Sequence, residues 1–344
     1  MKNIILCAIF AAAFPLSATA GQPPDSAADG FTGNVKSVTI NQVSMIKKSG
    51  SWTSGRSAVL SRLAYDSGGK RTEKTVYNGP TIASKLLYIY RDKKSDPFCD
   101  EILRRDERWD SSFDREEKDD LRIFCEDHKA HTYKVLYIYD TSTGAEKKDK
   151  NGTAGILQSR LVSLVDKKNL ITSEYDFDIT GALNFKRIYK YDKENNIDSI
   201  IKTSPDDQTL ERHAWKYDET GRVTERSEFG AYNAPVSKHI RQLRPDEPPA
   251  KETTILYNQD GSVSSRVEAA YDRKGGKTTE TVYAGDNPDR ILSERSCAYD
   301  YDAGGNWTKR SCTQTAVTYG KKVTDAHAAP EITERQIEYF KTDK

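Results

Sequence analysis

Residues 297–312 read CAYDYDAGGNWTKRSC, and the architecture turns on whether their Tyr-Asp-x-x-Gly-Asn is a chemical site or a turn. Tyr299 and Tyr301 alternate with Asp300, the period-two pattern of a half-buried strand. Asp302 can bond amides a few residues ahead, and Gly305 supplies the positive φ a tight turn needs. Trp307 restarts the apolar alternation. With Gly304-Gly305 at the centre of a hairpin, Cys297 and Cys312 face each other within disulfide reach. The stretch therefore predicts a stapled β-hairpin.

The same pattern recurs along the chain. It stands in RLAYDSGGKRTEKTVY from Arg62, LYIYDTSTGAEKK from Leu136, SEYDFDITGALNFKRIY from Ser173 and YKYDKENNIDSII from Tyr189. It returns in AWKYDETGRVTERSEF from Ala214, ILYNQDGSVSSRVEA from Ile255, AAYDRKGGKTTETVY from Ala269 and AYDYDAGGNWTKRS from Ala298. The strand and turn positions are Tyr65, Asp66 and Gly69; Tyr139 and Asp140; Tyr175 and Gly181; Tyr191; and Tyr217, Asp218 and Gly221. They continue with Tyr257, Asn258 and Gly261; Tyr271, Asp272 and Gly275; and Tyr301, Asp302, Gly305, Asn306 and Trp307. Each copy is a hairpin whose turn fixes the register of its strands.

Tyr-Asp-x-x-Gly-Arg/Asn followed by an apolar residue resembles the YD repeat of the bacterial Rhs family, closest in YDETGRVTERSEF and YDYDAGGNWTKR. The resemblance implies antiparallel sheets that wrap, and it carries the family's association with carbohydrate binding. Large members enclose a toxin domain. Here the copies are irregularly spaced and few, and nothing resembles the Asp-Pro-x-Gly junction or a toxin domain. The expectation is a short stand-alone exported member. Its fold is all-β, an elongated or wrapped antiparallel sheet of repeated hairpins over residues 34–340.

Residues 1–20 read as a signal peptide: Lys2, an apolar run from Ile4 to Phe14, then small residues before cleavage after Ala20. Cys7 lies inside the apolar run, which does not suit a lipoprotein cysteine. Residues 21–33 read as a flexible leader. Cleavage removes one of 53 basic residues and none of the 52 acidic ones, so the balance near zero argues against a nucleic-acid partner. No later segment is apolar enough for a membrane span, and the location expected is periplasmic or extracellular. Mean hydropathy of −0.77 fits thin sheets with one buried face each. Nineteen Tyr, ten Phe and four Trp argue against disorder.

Cys99, Cys125, Cys297 and Cys312 remain after cleavage, an even count that predicts two disulfides, paired locally as Cys99–Cys125 and Cys297–Cys312. The first would close a charged, partly helical insertion at 92–131. A loop of about 26 residues closed this way contributes roughly 3 kcal/mol. The proline-rich run from Asn233, NAPVSKHIRQLRPDEPPAKE, reads as a long loop between hairpins.

Candidate chemistry is sparse. Glu126, Asp127, His128 and His131 offer a metal-like cluster, but a solvated linker explains them, and His213, His239 and His327 fall elsewhere. The acidic run RRDERWDSSFDREEKDD (from Arg104) shows no carboxyl isolated in an apolar setting, as an acid/base pair needs. The paired Asp of YDFDITG and YDYDAGG lack the distal Glu of a calcium loop. Asn151–Thr153 and Asn306–Thr308 match glycosylation acceptors but read as turn residues. No nucleophile elbow, phosphate loop or dinucleotide fingerprint occurs. No catalytic residue, metal or cofactor is expected. The function expected is non-catalytic binding or scaffolding in the cell envelope, contacting glycan or a protein partner through the sheet. The alternatives are a carboxylate-dependent enzyme on envelope polysaccharide, or an inhibitor or immunity protein for a secreted toxin.

Overall fold

The computed structural model describes residues 25–92, 99, 119–128, 131–142, 156–244, 247–285, 287, 289–318, 321–323 and 329–341. The signal peptide, Cys7, most of the acidic run, Asn151–Thr153 and His327 lie outside them. A short helix, α1 (Asp25–Ala28), precedes β1 (Val35–Lys48), β2 (Ser51–Tyr65), β3 (Arg71–Asn78) and β4 (Thr81–Asp92). Helix α2 (Asp119–His128) precedes β5 (Thr132–Asp140), β6 (Ile156–Val165), β7 (Ile171–Phe177), β8 (Leu183–Tyr191) and β9 (Ile197–Thr203). Next come β10 (Thr209–Tyr217), β11 (Val223–Phe229), β12 (Pro235–Arg244), β13 (Glu247–Tyr257) and β14 (Val263–Tyr271). The last are β15 (Lys277–Ala284), β16 (Ile291–Tyr301), β17 (Trp307–Thr318), β18 (Lys321–Val323) and β19 (Glu331–Tyr339).

The hairpins form one antiparallel sheet, and that sheet closes. From β1 to β17 each strand pairs with the next, while β19 pairs with both β17 and β1. The short β18 only extends the edge of β17. The result is an 18-stranded closed barrel in place of the elongated or wrapped sheet expected from the repeat. Closure pairs the first strand with the last, covering the long edges an open sheet would have to protect.

Turn chemistry sets the register. Tyr65, Tyr191, Tyr217, Tyr257, Tyr271 and Tyr301 each pair with the residue six positions on, and a register shift follows at once. The aspartate caps its own turn: Asp218 Oδ1 accepts from the amides of Thr220 at 3.0 Å and Arg222 at 2.9 Å. Asp66 and Asp272 do the same with their own amides. Gly221 completes this turn at φ 79°, a conformation a side chain resists.

The tyrosine joins neighbouring hairpins. Tyr191 donates to the Ile171 carbonyl at 2.7 Å and Tyr217 to the Ile197 carbonyl at 2.8 Å, each reaching the first residue of the strand leaving the previous turn at that end. Tyr301 donates instead to Asp272 Oδ2 at 2.6 Å.

Several expectations need correction. In SEYDFDITG the turn unit is Phe177-Asp178, which pairs Phe177 with Leu183; Tyr175 sits two residues earlier, against Phe124. Tyr139 and Asp140 begin a longer connection, pairing with Leu157 and Ile156. The proline-rich run is two paired strands, β12 and β13. Pro248 and Pro249 fall within a register shift, where no ladder amide is needed. Of the leader, residues 25–33 are docked: Arg71 bridges to Asp29 at 2.5 Å, and Phe31 packs with Val35, Val38 and Tyr65.

Disulfides join Cys99 to Cys125 and Cys297 to Cys312. The first holds α2, which lays Leu121, Phe124 and Cys125 on Tyr133, Val135, Val162, Leu164 and Phe177. Replacing Asp218 with Ala removes both turn bonds and is expected to cost about 1 kcal/mol in urea denaturation at neutral pH. Asp218→Asn, which keeps an acceptor oxygen, should cost less. Equal losses would mean that charge, and not the acceptor, sets the turn.

Candidate functional site: the charged inner wall

Alternate residues of each strand face opposite sides of the barrel, and the two sides differ. One carries Lys216, Glu225 and Lys238, linked at 3.0 and 3.1 Å, together with Glu268, Lys309 and Glu334. The other carries Glu174, Arg226, Ser237, Arg241, Glu252, Arg310 and Arg335. Closing a sheet crowds the side chains of its inner face. The second set is the inner one: Glu174 and Glu252 are 5% and 7% exposed there, ionic but nearly buried.

Buried charge demands partners, and the inner wall supplies them strand by strand. Glu174 accepts from the Tyr189 hydroxyl at 2.6 Å and the Ser163 hydroxyl at 3.2 Å, with Arg187 at 3.5 Å. Between β10 and β13 the set is denser. Arg226 pairs with Glu228, whose other oxygen accepts from Ser237 Oγ at 2.8 Å. His213 Nδ1 lies 3.6 Å from Glu228, and Arg241 Nε donates to Glu252 at 2.8 Å. His239 contacts Thr254 Oγ1 at 2.9 Å and lies 3.8 Å from Glu252.

The proton affinities follow from this packing. Burial pushes Glu252 upward, but the His239 and Arg241 contacts outweigh it and bring the carboxyl down to about 2. Glu228 is also lowered, burial being outweighed by the Ser237 hydroxyl and the Arg226 charge. Burial, helped by Arg226, lowers His213. These are the signatures of an interlocked ionic lattice.

Ser237, His239 and Glu252 have the order of a nucleophile, base and acid, with Ser237 Oγ 3.3 Å from His239 Nε2. The shorter bond from Ser237 goes to Glu228, so its proton is committed to a carboxylate and not to the imidazole. Asp176 is the one carboxyl raised by burial among the described residues, against the pull of its Asn184 hydrogen bond. Its neighbour on the same face, Glu174, is occupied by three donors.

The sequence candidates are placed elsewhere. His128 stacks on Phe124 at 4.6 Å, and its Nδ1 meets the Phe124 carbonyl at the end of α2. Among the described residues no His, Cys, Asp and Glu group is arranged to hold a metal. Asp178 and Asp302 are turn caps, while Asp300 points outward. Asn306 is buried, donating to the Thr32 carbonyl and accepting from the Thr32 amide, so it serves as a structural tie. Sequence reasoning passed over the inner wall, because its members fall one or two per strand. The alternation of Glu, Arg and His in SKHIRQ and AKETT was the available signal.

No family model and no curated protein matches the chain. Among solved structures it is similar to a porin-like protein from Bacteroides uniformis ATCC 8492, at 11% identity and TM-score 0.40, over 89% of this chain and 99% of that one. It is also similar to TcdB2-TccC3-TEV, at 9% identity and TM-score 0.14, over 77% of this chain and 18% of that one. A second TcdB2-TccC3 structure matches at 10% identity and TM-score 0.15, over 83% and 20%. Likeness at this level carries no argument.

Arg241→Met should destabilise the barrel by about 3 kcal/mol, because Glu252 then stays buried without its main partner. Adding Glu252→Leu should recover much of that loss in denaturant melts. For pH the sign is set by the lowered carboxyls: Glu228 and Glu252 stabilise the fold above their unfolded pKa of about 4, and that contribution fades as pH falls toward 2. Arg241→Met/Glu252→Leu should flatten the acid limb of the stability profile measured between pH 5 and 2.

Proposed function

We propose that this protein is an exported, non-catalytic binding protein of the cell envelope that takes glycan on its barrel wall. The carrying observation is the stretch of inner wall where Tyr299, Tyr301 and Trp307 stand beside Arg295 and Arg310, each of them partly exposed. Aromatic faces stack on sugar rings, and guanidinium groups bond hydroxyl and carboxyl oxygens. Two disulfides suit an oxidising compartment. No helix among the described residues is long and apolar enough to cross a membrane. The outward Lys216, Glu225, Lys238, Glu268 and Lys309 suit a water-facing wall, where a lipid-facing band would be apolar. The non-enzymatic reading draws support from the commitment of Ser237 and Glu174 to structural bonds.

A protein partner is the second reading, favoured by the rim opposite the start of β1. There Ile82, Ile156, Ile179, Leu210, Val236 and Leu292 are exposed, and Tyr232 is 96% exposed. Apolar groups gathered at one rim mark a contact surface.

The mature protein should be retained on immobilised envelope polysaccharide, and Trp307→Ala should reduce that retention at least fivefold. Absence of retention on any glycan would refute the glycan reading. Co-purification of a partner that is lost in Tyr232→Ser would favour the rim.

A further inference from the structure

Three guanidinium groups, Arg295, Arg310 and Arg335, stand on the inner wall of β16, β17 and β19, with one carboxylate, Glu331, between the first two. Arg295 and Arg310 both bridge to Glu331, Arg310 at 3.0 Å, and Arg310 also donates to Thr333 Oγ1 at 3.2 Å. Arg335 shares neither partner. Its guanidinium lies 3.5 Å from the Trp307 ring centroid and 4.7 Å from that of Phe31, held between two π-faces. Among the described residues no carboxylate lies within ion-pair reach of it, and its Nε has no acceptor. Asp29 is already bonded by Arg71 and Tyr65. From β1 and β2, Val38, Ile40 and Leu63 add apolar surface and Ser61 a hydroxyl on the same face, none of them a counter-charge.

Elsewhere on this wall the buried carboxylates of the described strands face arginines: Glu174 faces Arg187, Glu228 faces Arg226, and Glu252 faces Arg241. Cation–π contact is worth less than an ion pair and accepts no hydrogen bond. Burial, and then the charge of Arg310, pull Arg335 down to about 9, the direction expected of a cation held without a counter-charge. An unpaired inner-wall guanidinium is costly unless an anion completes it. Glu331 keeps 42% of its side-chain surface exposed and Arg295 31%, so water reaches the cluster.

We propose that Arg335, Arg310 and Arg295 form a subsite for the carboxylate of an acidic saccharide. This rests on the glycan reading above and narrows it. The guanidinium of Arg335 would bond the carboxylate, while Tyr299 and Tyr301 border the sugar ring. A uronic acid unit joins both features in one residue: a ring to lie on an aromatic face and a carboxylate to meet the fork of an arginine.

The test is calorimetric titration of the full mature protein with oligogalacturonate, with a neutral oligosaccharide of equal length, and with free galacturonate, repeated on Arg335→Met. Oligogalacturonate is expected to bind at least tenfold more tightly than the neutral chain and to weaken with added salt. Arg335→Met should remove that preference while leaving the unliganded thermal midpoint unchanged or higher, since it deletes an unpaired charge. Equal binding of both oligosaccharides would overturn the anion subsite and leave the glycan reading standing. Binding of free galacturonate alone, lost in Arg335→Met, would keep the anion subsite and overturn the glycan reading. No binding of any probe, or full oligogalacturonate affinity in a destabilised Arg335→Met, would overturn the proposal.

Discussion

The aspartate that receives the amides of its own turn is the interaction on which the barrel depends. Asp178 shows it in full, its Oδ1 accepting from the amides of Thr180, Gly181 and Ala182 and from the Thr180 hydroxyl. Those bonds fix where one strand ends and the next begins, because side chains alternate faces at every residue. A slip of one position would send Glu174 and Arg187 outward and bring Lys186 and Lys190 inside. The repeat is thus a register device, and the register decides which face every charge occupies.

A lattice of paired charge replaces the large apolar core that this sequence lacks. Among the described residues apolar clusters exist at two places, on the outer face beneath α2 and on the inner face beneath Phe31, and the rest of the inner wall is held by ion pairs and hydroxyl bonds. Buried pairs contribute little net stability over apolar residues of equal size, but a lost partner costs heavily. Such a wall is specific more than it is strong. It tolerates one arrangement of partners, which makes the unmatched Arg335 conspicuous.

The hairpin repeat was legible wherever glycine marked the turn. It was hidden where Asn or Asp took the left-handed position and no Tyr-Asp opened the turn. Asn169 and Asp207 adopt φ near 65°, and the units Val165–Ile171 and Thr203–Thr209 pair as the tyrosine units do. Asn and Asp tolerate that conformation, so a search keyed to Tyr and Gly passes over them. The inner wall was less legible for a different reason. His213, Arg226, His239 and Glu252 come from four strands, and nothing local says that they meet. Closure was invisible as well, since the pairing of β19 with β1 and β17 joins segments from opposite ends of the chain.

That closure passes through the stretch between Cys297 and Cys312. Asn306 Nδ2 donates to the Thr32 carbonyl and to the Tyr339 hydroxyl, both at 2.7 Å, and Tyr339 donates onward to Asp302 at 2.6 Å. One turn therefore gathers the segment entering β1, the last strand β19 and its own hairpin. Trp307, the next residue, turns inward under Arg335. The same six residues that set the register of β16 and β17 thus close the barrel and floor the arginine cluster. A change at Asn306 acts on closure and on that cluster together, whereas the Arg335 side chain meets this stretch through the Trp307 ring and makes none of the bonds by which Asn306 closes the barrel.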